Sequence, residues 1–188
     1  MPHIALISDT HSYLGNDVIK HVKDADEIWH AGDIGDVATA DQLEQIGPPV
    51  RMVWGNIDGK PLRTQYPLEQ IFTVGGVKVY IIHIGGYPGR LYKKAKETIL
   101  KEKPDLYICG HSHILKVMRD QKHDLLHMNP GACGVIGFHK FRTLLKFDVN
   151  DGEISNLQAV ELGLRGICLL YTSPSPRDQR GSRMPSSA

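Results

Sequence analysis

Five short apolar runs of this 188-residue sequence are each followed by side chains that bind metal ions. Each run is typical of a buried β-strand, and the polar residues stand at or just after its end, usually beside a glycine that allows close approach of backbone and ligand. In open α/β sheets, ligands bind beyond the carboxyl ends of the strands. We therefore expect seven side chains to converge on one pocket: Asp9, His11, Asp33, Asn56, His83, His111 and His113.

Two of these donors, His111 and His113, are separated by a single residue. In an extended segment, side chains i and i+2 point to the same side, so both rings could face one point. Imidazole is also the commonest metal-ligating side chain. For an isolated pair, two surface histidines in a loop would be the simpler interpretation, and it is the other five donors that favour a metal site.

Seven oxygen and nitrogen donors without a cysteine are more than one structural zinc ion needs. They suit two divalent ions per subunit, with Mn²⁺ as the expected metal and Ni²⁺, Fe²⁺ or Zn²⁺ as alternatives. Paired catalytic ions stand about 3.5–4 Å apart, so one short group has to bridge them. Asp33 is the candidate bridge.

The elements that would position these donors alternate at first between strand and helix, and hairpins dominate later. Strands are predicted at 3–8, 27–30, 50–54, 71–74, 77–84, 106–109, 115–119, 125–128, 143–149 and 153–160, and helices at 16–24, 37–46 and 91–103. Such an order predicts an α/β layered fold whose sheets are partly parallel and partly antiparallel.

Composition restricts the class of protein. Hydrophobic content of 41% and charged content of 23% are ordinary for a globular domain, and a net charge of +1 gives no electrostatic reason to expect a nucleic acid or an anionic membrane as partner. No apolar stretch approaches the ~20 residues of a transmembrane helix, and the start lacks the features of a signal peptide. Three widely spaced cysteines imply no disulfide framework, so we expect a cytoplasmic protein.

The last segment differs from the rest. From about Ile167 the sequence is dense in Pro, Ser and Arg and has no periodicity, as a natural disordered tail would be. Residues 168–178 (C-L-L-Y-T-S-P-S-P-R-D), however, resemble a translated sequencing adapter. We therefore assign residues 1–165 to the folded domain and expect 166–188 to be a non-native, disordered tail.

Five blocks, in order, resemble the calcineurin-like metallophosphoesterases: Asp9-Thr10-His11, Gly32-Asp33, Gly55-Asn56, His83 and Gly110-His111-Ser112-His113. The resemblance covers roughly residues 3–162 and is greatest to the small bacterial and archaeal phosphodiesterases of that superfamily. It implies a β-sandwich of two mixed sheets flanked by helices. It also implies that Asp9, His11, Asp33 and His113 hold one ion, and that Asp33, Asn56, His83 and His111 hold the other.

The sequence departs from this family at Ile57. Many members have a histidine there, taken to contact the phosphoryl group or to protonate the leaving oxygen, and isoleucine can do neither. Some of the small phosphodiesterases also lack that histidine. Its absence therefore bears on esters with poor leaving groups and is not evidence against activity.

Four more residues are candidates for the surroundings of the site. Asp58 is either a carboxylate that bonds its own turn or one that positions a ligand. His30 either orients the metal ligands or packs in the core, and His127 falls where the family closes the far wall of the site. Arg90 either pairs with a phosphate oxygen or stays solvated.

The sequence thus predicts a binuclear metal-dependent phosphodiesterase that acts on a small phosphodiester through a metal-bridging hydroxide, with no other catalytic group. A non-catalytic scaffold for protein interactions is the alternative, because at least one eukaryotic trafficking-coat subunit resembles these enzymes in fold. No specific binding of nucleic acid is expected, and a homo-oligomer is compatible with the sequence.

Overall fold

A computed structural model describes residues 1–137 and 139–165; the expected tail, 166–188, lies outside the described residues. In chain order the elements are β1 (His3–Ile7), α1 (Asn16–Val22), β2 (Glu27–His30), α2 (Val37–Glu44), β3 (Val50–Met52), α3 (Lys60–Gln65), β4 (Glu69–Val74), β5 (Val77–Ile82), β6 (Gly86–Tyr87), β7 (Arg90–Leu91), α4 (Lys93–Glu102), β8 (Leu106–Ile108), β9 (Leu115–Asp120), β10 (Leu125–Pro130), β11 (Phe141–Asn150) and β12 (Glu153–Leu164).

Two five-stranded sheets form the body of the protein, in the orders β12-β11-β1-β2-β3 and β4-β5-β8-β10-β9. Strands β1, β2 and β3 are parallel, and β11 runs antiparallel to β1. In the second sheet, β5, β8 and β10 are parallel, with the antiparallel strands β4 and β9 at the edges. The expected pair of mixed sheets is confirmed.

Alternation along each strand divides the apolar side chains between two faces. In β1, Ile4 and Leu6 point into the core between the sheets, whereas Ala5 and Ile7 pack with residues of α1, α2 and α3. Strand β5 divides its side chains in the same way, and its outer face packs on α4. The helices therefore flank both sheets, as the resemblance implies.

Local signals set the bounds of the helices. The carboxylate of Asp36 accepts a hydrogen bond from the backbone N–H of Thr39 at 2.8 Å and so caps α2. Helix α4 stops where Lys103 takes a left-handed conformation (φ 48°) directly before Pro104. Among the described residues, none of the helices has the length and apolarity needed to cross a bilayer.

Two small elements are absent from the sequence prediction. Helix α3 has six residues and buries only Leu62, which is too little for a periodic pattern. The β6–β7 hairpin has two residues in each strand. Its second strand includes Leu91, the first residue of the predicted helix, and α4 begins at Lys93 as a result.

Candidate metal centre

The loops that follow β1, β2, β3, β5 and β8 bring the expected donors together. Two groups of side chains offer ligand atoms that lie within 4.8 Å of one another: Asp9, His11, Asp33 and His113, and Asp33, His83 and His111. Asn56 adjoins the second group, since its Oδ1 is 3.2 Å from Nε2 of His83. Asp33 belongs to both groups.

The carboxylate of Asp33 presents one oxygen to each group. Its Oδ2 lies 3.6 Å from Nε2 of His11, and its Oδ1 lies 3.2 Å from Nε2 of His83. Oδ1 also accepts a hydrogen bond from the backbone N–H of Ile57 at 3.1 Å. Burial disfavours the ionised form, but the imidazole of His83 and the Ile57 N–H hold the pKa of Asp33 below its ordinary value. An ionised carboxylate between two groups of ligands has the form that a bridge requires.

Asp9 supplies a test of whether these residues fit a cation. Its carboxylate is completely buried, and Oδ2 accepts hydrogen bonds from the Ser8 hydroxyl at 2.6 Å and from the backbone N–H of His111 at 3.2 Å. Oδ1 has no hydrogen-bond partner among the described residues, although Nε2 of His113 is 3.1 Å away. A buried oxygen without a partner is costly, and a cation beside Oδ1 would satisfy it. The donors therefore fit a divalent ion.

The backbone of five donors has an uncommon conformation. Positive φ angles occur at Asp9 (55°), His11 (48°), Asp33 (56°), His111 (69°) and His113 (60°). Non-glycine residues seldom adopt such angles, and this kind of strain concentrates at functional sites. Backbone hydrogen bonds between the loops hold these conformations in place. One runs from the N–H of Asp9 to the carbonyl oxygen of Gly32, at 2.9 Å.

The expectation that His111 and His113 share one side of an extended segment is wrong in its geometry. Strand β8 ends at Ile108, and both histidines lie in the following loop in the left-handed region. The loop directs the two rings to different groups. His113 lies with Asp9 and His11, whereas His111 lies with His83.

A hydrogen bond to the backbone fixes the orientation of the His83 ring. Its Nδ1 is 2.7 Å from the carbonyl oxygen of Ala31, which can only accept, so Nδ1 carries the proton and Nε2 faces Asp33 and Asn56. Burial opposes a charge on the ring, but the carboxylates of Asp33 and Asp9 raise its pKa above the ordinary value. Gly32 makes room for it: a Cβ at this position, where φ is 93°, would lie 2.6 Å from the His83 side chain.

Asp58 connects two of the ligand loops. Its Oδ2 accepts hydrogen bonds from the backbone N–H of Gly55 at 2.7 Å and of Ile34 at 3.2 Å, and its Oδ1 accepts one from Gly35 at 2.7 Å. The carboxylate closes its own turn, and it also binds the loop that carries Asp33.

His30 lies behind the ligands and is completely buried. Its Nδ1 accepts from the backbone N–H of Gly32 at 3.1 Å, so the proton is on Nε2, which lies 2.9 Å from the hydroxyl of Thr10. That hydroxyl in turn donates to the carbonyl of Ile34 at 2.9 Å. Burial lowers the pKa of His30 to about 4, and the neutral ring ties the loops after β1 and β2 to each other.

The other two candidates form no hydrogen bond with a donor among the described residues. His127 is buried between the rings of Tyr107 and Tyr87, with centroids 5.0 and 5.4 Å away, and both of its nitrogens lack a hydrogen-bond partner in the part of the chain that the structure describes. Arg90 is exposed and lines a cavity of about 320 Å³ together with His111 and Tyr87. Of these two residues, Arg90 is the one that shares a cavity with a donor, His111.

Sequence patterns missed a residue in contact with a donor. The guanidinium of Arg165 is buried, 3.2 Å from Nδ1 of His113 and 3.3 Å from the carbonyl oxygen of Ala132, and it also donates to the carbonyl of Ile136. Arg165 follows β12, 52 positions after His113, and no local pattern connects the two residues.

The chain is similar to known metallophosphoesterases. The model of the calcineurin-like phosphoesterase superfamily domain matches residues 3–152. A probable metallophosphoesterase of Methanothermobacter thermautotrophicus is 29% identical over 134 residues, which are 69% of this chain and 76% of that protein.

Two solved structures share the fold. A novel archaeal phosphodiesterase has 21% identity and a TM-score of 0.68, over 85% of this chain and 99% of that one. Vps29 from Entamoeba histolytica in complex with Zn²⁺ has 15% identity and a TM-score of 0.65, over 86% and 99%. Since the family model matches residues 3–152, a range that covers most of the sequence and includes all seven donors, the chain belongs to the calcineurin-like phosphoesterase superfamily.

Proposed function

We propose that the protein is a phosphodiesterase that depends on two divalent ions. The observation that carries this proposal is the position of Asp33, whose two carboxylate oxygens face the two groups of ligands. A scaffold would not need a buried, ionised carboxylate between two clusters of histidines, whereas a paired-ion site does.

Within this proposal, one ion would be held by Asp9, His11, Asp33 and His113, and the other by Asp33, Asn56, His83 and His111. Oxygen and nitrogen donors of this kind suit Mn²⁺. When bound, such ions polarise phosphoryl oxygens and lower the pKa of water, which supplies the nucleophile for hydrolysis. The buried bonds of Asp58 and His30 would keep the ligand loops in place during the reaction.

The surroundings of the centre favour a diester with a good leaving group. The side chain of Ile57 is 44% exposed and follows the donor Asn56, and it has no proton to give. The cavity beside His111 offers the hydroxyl groups of Tyr87 and Ser112, which bond each other, and the guanidinium of Arg90. These groups would bind the substrate, while the leaving oxygen departs without help from a side chain at position 57.

Elemental analysis of the Mn²⁺-loaded protein, together with hydrolysis of an aryl phosphodiester and an aryl phosphomonoester, tests the proposal. We expect about two equivalents of metal and faster hydrolysis of the diester. Asp33→Asn should lose both ions, whereas His11→Ala should lose one. Asp24→Asn is the matched control, because Asp24 is an exposed carboxylate.

Three results would oppose the proposal. Fewer than two equivalents in the intact protein exclude a paired-ion site. Near-normal activity of Asp33→Asn excludes Asp33 as the bridge. Two bound ions without hydrolysis of either ester would favour the scaffold that the sequence left as the alternative.

A further inference from the structure

A second cleft adjoins the cavity beside the metal centre and shares Arg90 with it. It has a volume of about 120 Å³ and lies between the β6–β7 hairpin, α4 and the β9–β10 turn. Its lining consists of Gly89, Arg90, Leu91, Lys96, Lys122 and His123. Four of these six residues are basic and none is acidic.

The positive charges of Arg90, Lys96 and Lys122 are not neutralised by neighbouring carboxylates. Arg90, Lys96 and Lys122 are exposed and form no ion pair with any described residue. The acidic residues closest in sequence have other partners. Glu97 lies 3.9 Å from Lys93, Asp124 lies 2.6 Å from Arg119, and Asp120 lies 2.6 Å from His123. The cleft therefore concentrates positive potential at one point of the surface.

His123 lies at the edge of this cleft in a fixed position. Its side chain is only 7% exposed, and its Nδ1 lies 2.6 Å from Oδ2 of Asp120, which fixes the ring. The other nitrogen, Nε2, is buried and has no hydrogen-bond partner within residues 1–137 and 139–165. The ring of His123 is therefore a fixed part of the wall of the basic cleft.

We infer that this cleft binds a second phosphate group of the substrate, so that the preferred substrate is a phosphodiester that carries a further phosphate. The inference rests on the proposed function. Arg90, which lines both cavities, would lie between the scissile diester and the second phosphate. Arginine and lysine are the side chains that recognise phosphate oxygens, and the volume of the cleft suits one such group.

A pair of matched substrates tests the inference. Both are 4-nitrophenyl alkyl phosphodiesters, one ending in a hydroxyl and the other in a phosphate, with spacers of two to six carbons. Each exposed ion pair is worth up to about a 5-fold change in affinity, so for the best spacer we expect the phosphate to lower KM by about 5- to 25-fold with little change in kcat. The double variant Lys96→Gln/Lys122→Gln should lose this advantage and hydrolyse the hydroxyl substrate as the parent does. Lys20→Gln/Lys23→Gln is the control (the α1 control), since it removes two exposed charges, one from α1 and one from its C-cap.

Calorimetric titration of inorganic phosphate into the metal-loaded protein gives a readout that needs no catalysis. The parent and the α1 control should bind one more equivalent than the Lys96/Lys122 double variant. Equal KM values for the two substrates at every spacer length would overturn the inference, even if the cleft binds free phosphate, since the ligand would then be a separate anion. Equal phosphate binding by parent and double variant would overturn it as well. Failure to hydrolyse either diester would instead refute the proposed function.

Discussion

The carboxylate of Asp58 should support both the fold and the metal centre, and Asp58→Asn separates the two roles. In the parent, Oδ2 accepts two backbone N–H groups and Oδ1 accepts the third, from Gly35. An asparagine oxygen in the position of Oδ2 can keep the first two bonds. Its amide nitrogen would then point a donor at the N–H of Gly35, and that bond is lost.

The expected cost follows from burial. Asp58 is 1% exposed, and the loss of a charge-assisted bond, with a donor left unsatisfied, destabilises by about 2–3 kcal/mol. For a domain of this length that lowers Tm by roughly 5–10 °C. Because the same bonds hold the loops of Asn56 and Asp33, Mn²⁺ affinity should also fall, by about 10- to 100-fold.

Urea unfolding and a Mn²⁺ titration measure the two effects, with Asp41→Asn, an exposed carboxylate on α2, as the matched control. A variant that loses stability but binds Mn²⁺ as the parent does would show that Asp58 serves its turn alone. If Asp58→Asn matches the Asp41→Asn control in both measurements, the three bonds do not have the importance assigned to them.

Three further predictions concern other parts of the chain. A protein that ends after Arg165 should match the full-length chain in Tm and hydrolysis rate. A protein that ends after Leu164 loses the buried guanidinium beside His113 and should have a lower Tm. Equal Tm values for the two truncations would contradict this. Ile57→His should weaken the dependence of the hydrolysis rate on leaving-group pKa. Its rate should rise most on substrates with poor leaving groups, by up to the ~10²–10⁴-fold that general acid catalysis supplies. Ile57→Ala should keep the parental slope, and identical slopes for both variants would show that position 57 does not face the reacting phosphate. Burial lowers the pKa of His127 from 6.5 to about 4. Between these two values the unfolded chain binds an additional proton, so the free energy of unfolding falls as the pH drops through this range. In urea unfolding, His127→Phe should remove about 1.4 kcal/mol per pH unit from that slope, and an unchanged slope would mean that His127 is protonated in the folded protein.

Much of the fold and the set of candidate ligands could be predicted because both are encoded locally. A buried strand shows as a short apolar run, and a candidate ligand follows within three residues of its end. Asp9, Asp33 and His83 are therefore visible without any knowledge of contacts. Short elements lack such a signal. Helix α3 buries one side chain, and the β6–β7 hairpin has too few residues to alternate.

The amino-acid sequence by itself determined the set of seven donors and their order along the chain. Only the tertiary structure decided how they are used: which oxygen of Asp33 faces which histidine, that Asp58 binds two loops, and that Arg165 reaches His113. The physical reason is the separation of the partners. Asp9 follows a strand of one sheet and His113 follows a strand of the other, more than a hundred residues later. The distance between such groups is set by how the two sheets pack, and no local pattern of residues records that packing.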